Sequence, residues 1–130
     1  MKNTDQIQEF IDNTLALAPE KGLVEIKEAE ELAPRFILAR AALAKFRLDL
    51  EVSKNKIDGE ISTLYKYAMV EAKGNNAVEK KAHAEADPMY LTKKEEFENL
   101  CSFISYMKII EDVFHNLHIF YRTLGKYSGM

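Results

Sequence analysis

The chain has three histidines, and the acids beside them are its first candidates for chemistry. His83-Ala84-Glu85 matches the first half of the motif found in zinc-dependent nucleotide deaminases, but that motif also needs a Pro-Cys-x-x-Cys segment. The chain has a single cysteine, Cys101, so this site is excluded, and an internal disulfide or a zinc site built on cysteine pairs is excluded with it. We therefore interpret His83 as an exposed histidine of a short helix and Cys101 as a buried, unreactive thiol.

A second group combines Glu111, His115 and His118, whose spacing of four and three residues places them on one helical face. Asp112 and His115 also have the acid-x-x-His spacing of di-iron helical bundles. Such a site needs a second motif of the same kind, and the sequence has none. We interpret this face as solvated and opposite the apolar stripe of its helix, and we predict no metal and no cofactor.

Motifs that bind nucleotide phosphates or activate a nucleophile are absent from the sequence. Gly125-Lys126 lacks the upstream glycine of a P-loop, and no Gly-x-Ser-x-Gly segment occurs. We therefore predict that the protein is not an enzyme and has no catalytic residues.

Lysines interleaved with tyrosines form the remaining chemical pattern. Residues 1–35 carry eight acids and four bases, whereas residues 36–73 carry seven bases and five acids, so the net charge of −3 hides a gradient. Lysines neutralise phosphates and aromatic rings stack on unpaired bases, as in proteins that bind single-stranded nucleic acid. The alternative is an ordinary solvated helical surface whose tyrosines pack between helices.

The chain has only five glycines and three prolines, so few breaks interrupt its helices. These breaks delimit the helices that position the residues above. The breaks are Pro19–Gly22, Gly74-Asn75-Asn76 and Asp87-Pro88. They predict one helical domain over residues 1–130, made of an N-terminal helix and linker (1–22), a long helix (23–73), a tip with a short helix (74–87), and a last helix with a tail (88–130). We expect Pro34 to kink the long helix or mark its start, and Gly125 to end the last helix.

A heptad repeat runs along the long helix and favours a coiled-coil-like seam. Its main positions are Phe36, Leu43, Leu50, Ile57 and Leu64, and its companion positions are Leu32, Ala39, Phe46 and Tyr67. The last helix has apolar residues at steps of three and four. The predicted fold is all-α, a long antiparallel helical hairpin with a short N-terminal helix and a short helix at its tip. Because the apolar face of the last helix is wider than one partner covers, we also expect a homo-oligomer.

The N-terminal sequence and the hydropathy pattern bear on location. The first residues include acids where a secretory signal has basic and apolar runs, and no apolar stretch reaches the roughly 18–20 residues of a membrane span. We expect a cytoplasmic protein with no membrane partner.

Three segments resemble a known family. They are ISTLYKYAMVEAKGN at 61–75, ADPMYLTKKEEFENL at 86–100, and YMKIIEDVFHNLHIFYRTLGKY at 106–127. Over these segments the chain is similar to small α-helical proteins of bacteriophage recombination modules, the T4-type (UvsY-like) recombination mediators. A phage origin would place the protein in the host cytoplasm.

The resemblance implies a ring-like homo-oligomer that binds single-stranded DNA and helps a recombinase to displace a single-strand-binding protein. It implies phosphate contacts by Lys66, Lys73, Lys80, Lys81, Arg122 and Lys126, and base stacking by Tyr65 and Tyr67. The alternative that stays open is a helical protein–protein interaction module, such as an adaptor, an assembly subunit or an inhibitor of a host protein. That alternative predicts an exposed apolar or acidic patch within residues 5–31.

Overall fold

The computed structural model describes residues 2–20 and 24–126. Within these residues the protein has four helices and no strand: α1 (Thr4–Leu15), α2 (Ile26–Glu71), α3 (Ala77–Glu85) and α4 (Pro88–Lys126). The long helix α2 packs against the long helix α4, which confirms the all-α hairpin. The predicted start of the long helix at residue 23 lies outside the described residues. None of the described helices has the long apolar stretch that crossing a bilayer requires.

Side-chain caps begin three of the helices where the sequence has its breaks. Asn3 and Gln6 form a capping box at α1, in which each side chain accepts the other's backbone N–H at 2.9 and 3.0 Å. The side chains of Asn76 at α3 and Asp87 at α4 each accept a backbone N–H three residues further on, at 2.9 and 3.1 Å. Pro88 follows as the first residue of α4, where no N–H donor is needed.

The chain divides into two compact units, and α2 and α4 contribute to both. Unit 1 is Met1–Asp49 with Ser105–Met130, and unit 2 is Leu50–Ile104.

Unit 1 contains most of the buried apolar side chains of the described residues. α1, the first half of α2 and the second half of α4 surround an aromatic cluster in which Phe36 stacks on Tyr121 at 5.7 Å and contacts Phe114 at 6.3 Å between ring centroids. The buried apolar residues of unit 1 are Ile7, Ile11, Ala29, Leu32, Ala33, Phe36, Ala39, Leu43, Met107, Ile110, Phe114 and Tyr121. The heptad residues Phe36 and Leu43 are therefore core residues, as predicted.

α1 is joined to both long helices of unit 1. The ring of Phe10 meets that of Phe46 on α2 edge-to-face at 5.4 Å, and Gln8 Nε2 donates to the Tyr106 hydroxyl on α4 at 3.0 Å. α1 therefore contacts α2 through apolar rings and α4 through a hydrogen bond.

Unit 2 has a thin core. Its buried apolar residues among those described are Leu50, Ala68, Ala84 and Ile104. α2 and α4 still meet here, because the Tyr65 and Tyr90 rings lie 5.5 Å apart and Lys93 Nζ lies 3.0 Å from Glu60 Oε2.

One predicted boundary is wrong, and one of the two expectations for Pro34 is excluded. α4 continues through Gly125 to Lys126, and Gly125 is buried, because a Cβ there would lie 2.9 Å from Cγ of Glu30 on α2. The glycine thus permits a close helix–helix approach rather than a turn. Pro34 lies inside α2, which begins at Ile26, so Pro34 does not mark the start of the long helix.

Candidate nucleic-acid interface

The last turns of α2 expose a basic and partly apolar surface in unit 2. Lys66 and Val70 lie about 40° from each other around the helix, since successive residues turn by about 100°, and Lys73 follows two residues after the helix ends at Glu71. All three are exposed, and Val70 is 84% exposed. Tyr67 borders them and is 66% exposed. We call these four residues the α2 strip.

The exposure of Tyr67 corrects its predicted place in the seam. Ala68, one position further on, is buried instead. A strict seven-residue repeat drifts by about 20° per heptad around a straight helix. Over the four heptads from Phe36 to Leu64 this amounts to about 80°, which is nearly one residue. The buried face has therefore moved past Tyr67.

α3 supplies two further predicted lysines, Lys80 and Lys81, and both are exposed. The acid before them, Glu79, accepts the backbone N–H of Asn75 at 2.6 Å, so its carboxylate is occupied by the turn that precedes α3. Lys81 forms only a long ion pair with Glu85 at 3.9 Å. Such exposed pairs contribute little and separate readily.

Ion pairing distinguishes these lysines from a structural lysine of the same unit. In the described part of the chain, Lys66, Lys73 and Lys80 form no ion pair. Lys93, by contrast, contacts Glu60 at 3.0 Å and Glu96 at 3.3 Å. Its hydrogen bond and charge hold the pKa of Glu60 below the ordinary value. The charges of the unpaired lysines are thus available to a polyanion.

Tyr65, the other predicted stacking residue, is half-buried and packs on Tyr90. Lys94 Nζ lies 5.9 Å from the centre of the same Tyr90 ring. Tyr67 is therefore the more accessible of the two predicted rings.

An open groove of about 760 Å³ also lies in unit 2. Leu64, Met89 and Pro88 line it together with Gly59, where nothing lies within 4 Å of an added Cβ. Lys56 stands at the same groove. An apolar surface bordered by a lysine suits a ligand that combines flat apolar groups with negative charge.

The last two predicted contacts, Arg122 and Lys126, belong to unit 1. Both are exposed, and they line a cleft of about 540 Å³ that also includes His118 and Glu30. His118 was not among the predicted binding residues, although the repeat of basic residues at 118, 122 and 126 could have indicated it.

The face with Glu111, His115 and His118 is not solvated, which corrects its interpretation from the sequence. Glu111 is 8% exposed, and its carboxylate accepts from Arg47 Nε at 2.6 Å and Nη2 at 3.2 Å. Arg40 Nη1 lies 3.1 Å from His115 Nδ1. An arginine only donates, so this His115 nitrogen accepts.

The positions of these residues around their helices explain why they are not solvated. At about 100° per residue, Glu111 and His118 lie only about 60° and 40° from Phe114, which is a core residue. On α2, Arg40 and Arg47 are similarly close to Phe36. The polar residues of the two helices therefore pair with each other where α2 contacts α4 in unit 1. We call the pairs Glu111–Arg47 and His115–Arg40 the polar seam.

The polar seam and the other histidine and cysteine do not assemble a metal site. Within residues 2–20 and 24–126, no group of three or more His, Cys, Asp or Glu side chains is arranged to hold a metal ion. His83 is exposed, as predicted, whereas Cys101 is half-buried rather than buried.

The arrangement offers positive charge and apolar contact. Exposed lysines accompany an exposed aromatic ring in unit 2, and two basic residues line a cleft in unit 1. Comparison of the chain with protein-family models, with curated proteins and with solved structures finds no match.

Proposed function

We propose that the protein binds single-stranded DNA without catalysing a reaction and that it acts as an oligomeric recombination mediator of phage type. The observation that carries the proposal is the α2 strip, in which two lysines without ion pairs accompany an exposed tyrosine. Each lysine that neutralises a phosphate releases a bound counterion, and this release drives binding.

Base stacking is assigned chiefly to Tyr67. The Tyr67 side chain is 66% exposed. Packing against the described residues therefore does not account for an aromatic ring at this position. Stacking of one base on an aromatic side chain contributes about 1–3 kcal/mol and does not depend on base identity. Lys80, Lys81, Arg122 and Lys126 are proposed as further phosphate contacts, and Tyr65 as a secondary stacking residue.

The experiment compares two double variants. K66Q/K73Q removes the two lysines of the α2 strip, and the matched control K27Q/K45Q removes two exposed lysines of unit 1. Fluorescence anisotropy with a labelled deoxythymidine oligonucleotide is measured across a salt series. We expect the slope of log K against log salt to fall by about 0.7 per lysine in K66Q/K73Q only. Equal slopes in the two variants, or no binding by the native chain at low salt, would remove the proposal.

The contribution of Tyr67 is tested separately at fixed salt. Y67A should weaken binding by about 1–3 kcal/mol, whereas V70A, which shortens a more exposed aliphatic neighbour, should change it little. Circular dichroism establishes that both variants remain helical. Equal losses in the two would assign the surface to nonspecific apolar contact.

The mediator role is the finer part of the proposal and rests on the family resemblance. It predicts that the protein accelerates the assembly of a phage recombinase on DNA that is already coated with a single-strand-binding protein. K66Q/K73Q should lose this acceleration. DNA binding without any acceleration would remove the mediator role and leave the binding proposal intact.

A second candidate is a helical interaction module, favoured by apolar residues on the outer side of α2. Leu38 is 69% and Leu48 is 55% exposed, and they lie about 160° and 120° from Phe36 around the helix. Exposed apolar surface of this kind favours association with a second copy or another protein. Light scattering should give a multiple of the monomer mass for the native chain and a smaller mass for L38S/L48S.

The same candidate predicts a role for the exposed acids of α1. D5S/E9S/D12S would then abolish capture of a protein partner and leave DNA binding unchanged. If the native chain is monomeric and these acids have no effect on any interaction, the module is excluded.

A further inference from the structure

The cleft of unit 1 combines three basic side chains on successive turns of one helix. His118, Arg122 and Lys126 follow one another at intervals of four residues on α4, and all three line the cleft. α2 forms the facing side. The volume of the cleft, about 540 Å³, lies in the range of small-molecule sites.

His118 is held in position before any ligand arrives. Its Nδ1 lies 2.8 Å from the carbonyl oxygen of Ala33 on α2. A carbonyl only accepts hydrogen bonds, so Nδ1 carries the proton and donates. In the described part of the chain Nε2 has no partner, and it remains for a ligand.

The α2 side of the cleft is apolar. Ala33, Pro34 and Ile37 line it, and Pro34 has no backbone N–H. Gly125 fixes the end of the cleft, because its lack of a side chain brings α4 close to Glu30. Glu30 is the single acid among the lining residues.

The donor set determines the ligand class. A guanidinium presents parallel donors to two oxygens of one anion, and an ammonium adds a mobile charge. Nε2 of His118 donates only when both ring nitrogens carry protons, and this imidazolium is then a third donor. A phosphate group has enough oxygens to use all three donors, whereas one carboxylate has two. The cleft is larger than one phosphate requires, and its apolar side suits the rest of a nucleotide.

We propose that this cleft binds the phosphate group of a nucleotide, with Arg122 as its main donor, the imidazolium form of His118 as a second donor and Lys126 as a supporting charge. For Arg122 and Lys126, the inference deepens the proposed function. It rests on that function only if the bound phosphate belongs to DNA. The two possible sources are a free mononucleotide and a phosphate of a single strand.

The test follows the histidine rings by NMR during titration. The probes are deoxythymidine monophosphate, inorganic phosphate and thymidine, which lacks the phosphate. We expect saturable shifts of His118 with the first two and none with thymidine. R122Q should weaken binding about tenfold or more, since a hydrogen bond to a charged group is lost. R35Q, the matched control on an exposed arginine of unit 1, should bind as the native chain does.

A second arm identifies the source of the phosphate. Oligonucleotides with and without a 5′-phosphate are titrated into the native chain, R122Q and K126Q. A loss in R122Q for both oligonucleotides assigns the cleft to backbone phosphates, and a loss for the phosphorylated one alone assigns it to a strand end. Binding of the mononucleotide alone assigns it to a free nucleotide.

The inference is overturned if no phosphate probe gives saturable shifts of His118, or if R122Q and R35Q bind equally. Its failure is distinct from failure of the proposed function. K66Q/K73Q leaves the cleft unchanged and tests DNA binding by the α2 strip, whereas the mononucleotide titration tests the cleft without any DNA.

Discussion

Units 1 and 2 are built from the same two long helices but differ in what those helices bury. Twelve of the sixteen buried apolar residues among those described belong to unit 1, and four belong to unit 2. The six largest fully buried side chains, Phe36 and Phe114 among them, are all in unit 1. Each long helix therefore has one half that packs into a core and one half that is more exposed.

The difference separates the residues that stabilise the fold from those that we propose to bind DNA. Burial of apolar surface is the main favourable term in folding, so unit 1 supplies most of the stabilisation. Unit 2 has exposed lysines and an exposed tyrosine. Its few buried apolar residues make it the less stable unit, and binding surfaces commonly lie in less stable regions. Substitutions in unit 1 should therefore change stability more than substitutions in unit 2.

The largest expected effect is on the core of unit 1. F114A deletes a fully buried ring and should lower the free energy of unfolding by about 3–5 kcal/mol. L64A, at a half-buried heptad position of unit 2, should cost about 1 kcal/mol. Urea denaturation followed by circular dichroism measures both. Equal losses would mean that the two units contribute equally to stability.

The next effect concerns the polar seam. E111Q removes the charge that accepts two hydrogen bonds from Arg47 and should cost about 1.5–3 kcal/mol. E98Q is the matched control, because Glu98 is exposed on the same helix in unit 2. Its free energy of unfolding should stay within about 0.5 kcal/mol of the native value. A similar small change in E111Q would show that the seam adds nothing to stability.

A smaller effect appears at alkaline pH in unit 1. Burial raises the pKa of Tyr121, and the charge of Glu28 raises it further. The unfolded chain therefore ionises first, so the stabilisation from Tyr121 is complete below a pH of about 10 and is lost as the pH rises through the raised pKa. Thermal unfolding of the native chain and Y121F across this range should show a steeper decline in the native chain. Parallel curves would contradict the assignment.

The smallest effect is at acid pH in unit 2. The hydrogen bond from Lys93 lowers the pKa of Glu60, so the stabilisation from this pair is present above the ordinary value and is lost as the pH falls through the lowered pKa. K93Q should flatten this limb of the stability profile only slightly, because the pair is exposed to solvent. A large change would mean that unit 2 depends on this pair more than on its apolar contacts.

Much of the fold could be predicted because its signals are local. Asp87-Pro88 and Asn76 begin helices through hydrogen bonds to residues only three positions away. The heptad from Phe36 to Leu64 predicts the seam because a repeat of seven residues keeps one face of a helix toward its partner. Such signals need no knowledge of distant residues.

The candidate sites could be predicted only in part. The lysines at 66, 73, 80 and 81 are exposed in the structure, but their grouping with Tyr67 depends on how far the buried face drifts around α2. Arg122 and Lys126 were singled out, whereas His118 was assigned to solvent. Its contact with Ala33 joins residues far apart in the sequence, and a pattern along one helix contains no information about the other.

The sequence by itself determined the helices, their breaks and the hairpin, because caps and apolar periodicity act within a few residues of each other. The tertiary structure alone decided which partner each buried polar residue has. Glu111 is acidic in any reading of the sequence, but only the approach of Arg47 from α2 makes it part of the core of unit 1. Burial and pairing depend on residues that folding brings together, and so they are properties of the packed helices rather than of either helix alone.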